Sequence, residues 1–107
     1  MKRLLIPILL CSSIANAEFI DGNKLLRDLK DSSFFNQGHA MGYIVGIADM
    51  GLGVVHCAPT NVTAGQLNDM IKNYLENTPV DRSLTADTVV NKVLKAVWPC
   101  AKRGGSL

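Results

Sequence analysis

Two cysteines constrain this chain more than any other feature, because of the segment that precedes them. Met1-Lys2-Arg3 is basic, Leu4 to Leu10 is an apolar run, and Ser12-Ser13-Ile14-Ala15-Asn16-Ala17 ends small-x-small. That is the pattern of a cleaved secretion leader. The run is too short for a bilayer span, which needs about 20 residues. Leu10 precedes Cys11 where a lipidation signal demands a small residue, so no lipid anchor is expected. Cleavage after Ala17 leaves residues 18–107, which is 90 of the 107 residues. Cys11 departs with the leader, and Cys57 and Cys100 remain. Two thiols alone in an oxidising compartment form one disulfide as the simplest outcome. We therefore expect a single small exported domain, stapled once.

A domain this small has a marginal core, so the staple is physically useful. Chain-entropy arguments give a closed loop of this size about 4 kcal/mol, less any strain. Removing the leader also removes Lys2 and Arg3, so the 11 basic residues become 9 and balance the 9 acidic ones. No basic patch stands out, which argues against nucleic acid and against electrostatic membrane binding as partners.

Apolar spacing predicts four helices and little strand. The first spans about Asn23 to Lys30, with Leu25, Leu26 and Leu29 on one face and Asp21 or Asn23 as cap. Phe19 and Ile20 are placed to pack before it. The second spans about Ser33 to Leu52, capped by Ser32 or Ser33. Gly38, Gly42 and Gly46 recur every four residues there, a smooth groove against which another helix can pack. Asn36, Gln37, His39 and Asp49 interrupt the segment, which favours a buried soluble helix over a membrane span. The third spans Ala64 to about Asn77. Leu67, Met70, Ile71, Tyr74 and Leu75 keep helical spacing, and Thr63 with Gln66 forms a capping box. The fourth spans about Ser83 to Trp98 and stops at Pro99. The expected fold is all-α, a compact bundle of about four helices.

No catalytic constellation emerges. His56-Cys57 places a base beside a thiol, but neighbours in sequence rarely aim their side chains at one reaction, and a structural disulfide explains Cys57 better. His39, His56, Asp49 and Cys57 lack the spacing of a metal motif, so surface or interfacial histidines are expected. Asp49 sits where a helix dipole disfavours negative charge, so a hydrogen-bonding partner is expected for it. Gly51-x-Gly53 and Gly104-Gly105 lack the context of phosphate loops. No cofactor and no metal are expected, and the chain reads as a binder rather than an enzyme.

Five segments occur in a telling order: GYIVGIAD at 42–49, CAP at 57–59, VTAGQL at 62–67, YLENTP at 74–79 and KAVWPC at 95–100. The set resembles the Rap/Tai family of type VI secretion immunity proteins. The resemblance implies a periplasmic all-helical domain with the cysteine of CAP bonded to that of PC. It also implies a partner, a peptidoglycan-cleaving amidase effector whose cleft is blocked by a loop between helices. Some members are dimers, which implies a homodimer as a further association. The chain departs from many relatives in lacking a second, earlier cysteine pair, with Leu29 and Gly38 in that region. The other function kept open is a small periplasmic stress chaperone, or a binding protein with no toxin partner. Two histidines and nine acids are an ordinary titratable load for an acid-activated chaperone.

The connection from Asn77 to Ser83 is the expected partner-binding surface, the other reading being that it only joins two helices. Asn77, Thr78, Pro79, Asp81 and Arg82 are its candidate residues. It is polar, and Pro79 limits the entropy that docking would cost. The segment from Gly51 to Val62 is the alternative contact.

Overall fold

The computed structural model describes residues 19–101. The expected leader, residues 1–17, lies outside the described residues. Four α-helices and one short 3-10 helix occur in order: α1 (Gly22–Lys30), α2 (Phe34–Gly51), α3 (Ala64–Asn77), the 3-10 turn (Pro79–Ser83) and α4 (Ala86–Val97). No strand forms among the described residues, only two isolated bridges, Asp21 with Thr85 and Leu52 with His56. The fold is all-α, as the periodicity predicts.

Local chemistry sets the starts of the first three helices. The Asp21 carboxylate accepts the Lys24 amide at 2.8 Å. Ser33 caps α2 through the Asn36 amide. Thr63 and Gln66 bond each other's amides reciprocally, the capping box the sequence announces. Between α1 and α2, the Asp31 carboxylate accepts the Ser33 amide at 2.9 Å and the Asn36 side-chain amide at 2.7 Å. The backbone bond from Ser33 chiefly, then Asn36, holds the Asp31 carboxyl below the usual carboxylate range.

Each helix gives one stripe to a shared core. Leu25 and Leu26 come from α1, Ala40, Ile44 and Ala48 from α2, and Leu67, Ile71 and Leu75 from α3. Ala86, Val89, Val90, Val93 and Leu94 come from α4. Ile20 packs against this cluster, whereas Phe19 is exposed rather than packed. Asp49, expected to need a partner, is exposed on α2, where water solvates its charge.

The fourth helix begins later than the spacing suggests. The Gly22 amide donates to the Leu84 carbonyl at 2.9 Å, and the Ala86 amide donates to the Ile20 carbonyl at 2.7 Å. Those bonds hold Leu84 and Thr85 extended against the start of α1, so the helix starts at Ala86. Gly22 permits the approach, since a β-carbon there would lie 2.9 Å from the Arg82 α-carbon.

The glycine stripe is a second correction. A β-carbon at Gly38, Gly42 or Gly46 would meet nothing within 4 Å, and all three face solvent. The helix carries two registers with a four-residue spacing, Gly38-Gly42-Gly46 and Ala40-Ile44-Ala48. Two residues are about 200° of helical rotation, so burying one register exposes the other. The register with side chains wins because burial gains free energy roughly in proportion to apolar area. Phe34, 91% exposed, and Phe35 also project outward from the first turn of α2. No described helix is long and apolar enough to cross a membrane.

Candidate partner-binding surface

The segment after α2 is held in place more firmly than its loop-like sequence suggests. The Gly51 carbonyl accepts three amides, those of Val54 at 3.0 Å, Val55 at 2.7 Å and His56 at 3.3 Å. The Gly53 amide closes the turn on the His56 carbonyl at 2.7 Å. Gly53 has φ +81°, a left-handed conformation that glycine adopts without strain. Gly51 is close-packed as well, because a β-carbon there would lie 3.2 Å from the His56 ring.

Three anchors fix the remainder of the segment, up to the start of α3. The His56 side chain is 2% exposed, and its ring lies 2.8 Å from the Ala48 carbonyl through Nε2. The Ala58 amide donates to its Nδ1 at 3.2 Å. A donor at Nδ1 and an acceptor at Nε2 require the neutral tautomer with its proton on Nε2. The second anchor is the Cys57–Cys100 disulfide, with an S–S distance of 2.01 Å and the α-carbons 4.9 Å apart. Beside it, the Cys57 amide donates to the Trp98 carbonyl at 2.8 Å. The third is the turn in which Val62 donates to Pro59, directly before the cap of α3.

The surface that these anchors present is apolar and accessible. Val54 is 82% exposed, and Leu52 beside it is 47% exposed. Met50, on the last turn of α2, is exposed as well. Pro59, Thr60 and Asn61 form an exposed shoulder on the far side. A recess of about 210 Å³ lies between, bordered by Asp49, Leu52, His56 and Thr60. Exposed apolar groups on a fixed backbone suit docking, since little conformational entropy is lost on binding.

The connection from Asn77 to Ser83 is built differently. The buried Asp81 carboxylate accepts the Tyr74 hydroxyl and the Lys92 ammonium, the latter at 2.8 Å. The Lys92 bond chiefly, then Tyr74, holds the Asp81 carboxyl below the usual carboxylate range against the opposing effect of burial. The same Asp81 bond raises Lys92. Arg82 donates from Nε to the Leu75 carbonyl at 2.7 Å and from a terminal nitrogen to the Glu76 carbonyl at 2.9 Å. It thereby caps carbonyls at the end of α3 that lack helical partners. Both charges therefore work within the chain. Asn77, Pro79 and Val80 are exposed, and Thr78 is half-buried.

The histidines separate. His39 is exposed on α2, but His56, expected at a surface or interface, is buried. Among the described residues no three His, Cys, Asp or Glu side chains gather as metal ligands would. Sequence reasoning missed the anchoring role of His56. The available signal was its place between the two glycines and the stapled Cys57.

The chain is a small all-α bundle, clamped by one disulfide beside a hydrogen-bonded loop that exposes Leu52 and Val54. A family model of Rap1a immunity proteins matches residues 21–100, and the chain belongs to that family. No curated protein matches it. Membership carries a coarse functional statement: an immunity protein that binds a cognate effector.

Proposed function

We propose that the mature chain acts in the periplasm, after leader cleavage, by binding and inhibiting a type VI secreted peptidoglycan amidase. Such inhibition would protect the cell against itself and its sisters. Family membership supports the immunity role. The observation that carries the mode of binding is the fixed segment from Gly51 to Val62, which presents Leu52 and Val54 on a backbone anchored at His56 and Cys57. An amidase must leave its cleft open to a peptide substrate, and a pre-ordered apolar projection can fill such a cleft without rearranging. The connection carrying Asn77, Thr78, Pro79, Asp81 and Arg82 is proposed as a secondary contact through its exposed rim. The inhibitor is also proposed to self-associate as a homodimer.

The test is protection of cells that export a peptidoglycan amidase effector to their own periplasm. Wild-type chain should restore growth. Leu52→Asp with Val54→Asp should abolish protection while leaving the melting temperature within about 2 °C, a shift of well under 1 kcal/mol for a domain of this size. Full protection by that double variant would move the contact elsewhere. Light scattering or sedimentation reads the oligomer.

A further inference from the structure

We infer that His56 is the positioning residue of the binding segment: its neutral imidazole, bonded on both nitrogens, holds residues 52–58 in the shape that docks. The inference rests on the proposed use of this segment as the inhibitory contact. The disulfide fixes only Cys57, at the far side of the turn from Leu52 and Val54. Between Gly51 and Cys57, the one buried side chain is that of His56.

The imidazole adds a side-chain link to the backbone bonds that the Gly51 carbonyl makes, and it reaches further on both sides of the turn. Its Nε2–H donates to the Ala48 carbonyl, in the last turn of α2, at 2.8 Å. Its Nδ1 accepts the Ala58 amide, beyond Cys57, at 3.2 Å. The ring also rests against Gly51, where a methyl group would crowd it. One side chain thus braces the backbone turn closed by the Gly51 carbonyl, holding Ala48 on one side and Ala58 on the other. A leucine could fill the same volume but bond neither Ala48 nor Ala58. The buried Ala48 carbonyl and the half-buried Ala58 amide would each lose this partner, and opening the segment to water would restore one.

Amide hydrogen exchange in deuterium oxide tests this on the intact, disulfide-bonded chain. His56→Leu should speed exchange at Gly53, Val54, Val55 and Cys57 by about tenfold or more. Amides of Ile71 and Val90 report the core and should change far less. His56→Gln can still donate to the Ala48 carbonyl and should recover part of the protection. Val89→Ala serves as the control, because it lowers overall stability without touching the segment. If His56→Leu speeds loop and core amides in the same ratio as Val89→Ala, His56 is merely a stability residue and the inference fails. If loop exchange in His56→Leu matches wild type, it fails as well. Protection of amidase-exporting cells supplies the second arm. A loosened segment together with lost protection, both partly restored in His56→Gln, supports the inference. A loosened segment with full protection overturns the segment as the inhibitory contact, while the anchoring of the loop by His56 stands.

Discussion

The Asp81 carboxylate and the Lys92 ammonium lie 2.8 Å apart, tying the 3-10 turn after α3 to the outer side of α4. The Tyr74 hydroxyl donates to the same carboxylate oxygen, so one acid joins three elements. A surface ion pair contributes little, but this carboxylate is only 8% exposed as a residue and would be orphaned without its donors. Asp81→Asn should therefore lower the melting temperature by several degrees, and Tyr74→Phe by less. A melt within 1 °C of wild type for Asp81→Asn, well inside the shift expected from about 1 kcal/mol, would show that the network is dispensable.

The same network predicts acid sensitivity with a definite sign. The folded-state Asp81 carboxyl titrates below its unfolded value, held down by Lys92 first and Tyr74 second. Its contribution to stability is then fully present above the ordinary aspartate value of about 3.9 and is lost as pH falls through the lower folded value. Melting curves from pH 7 down to about 2.5 should show wild type losing stability more steeply than Asp81→Asn in the acid limb. Parallel acid limbs would remove Asp81 from the account.

Two sets of glycines should respond in opposite directions. Gly42→Ala and Gly46→Ala add a methyl group to open space on an exposed helix face, so each should stabilise by about 0.5–1 kcal/mol. Gly22→Ala drives its methyl into the Arg82 backbone, which cannot swing aside as a side chain can, and should cost about 2 kcal/mol or more. Chemical denaturation measures all three. Destabilisation at Gly46 would mean that its face is covered in solution, as the proposed homodimer could do.

The disulfide should matter to both stability and shape. It closes a sequence separation of 43 residues and lies outside the apolar core. Cys57→Ser with Cys100→Ser should cost about 2–5 kcal/mol. The exchange of Cys57 and its neighbours should quicken beyond what global destabilisation explains. Intact mass without reductant should show the folded chain two hydrogen atoms lighter than the reduced chain. Two free thiols on folded protein would contradict the bond.

The amino-acid sequence alone determined the helical class and the start of α3, narrowed the caps of α1 and α2 to two residues each, and made Cys57 with Cys100 the expected pair. These depend on interactions a few residues long, such as the Thr63–Gln66 capping box, or on elimination, since the expected loss of Cys11 with the leader leaves two of the three cysteines and one pairing. The immunity family was legible too, through ordered segments rather than through any single residue. The tertiary structure showed which register of α2 is buried: Gly38-Gly42-Gly46 and Ala40-Ile44-Ala48 have the same period, and the larger apolar area of the second counts only where neighbouring helices cover it. It decided that α4 starts at Ala86, since the competing bonds come from Ile20 and Gly22, more than sixty residues away in sequence. It also assigned Asp81 and Arg82 to internal bonds and gave His56 its place in the interior. A polar side chain in a connecting segment looks the same in sequence whether it faces water or closes a buried hydrogen bond, and only the packed chain supplies the partner.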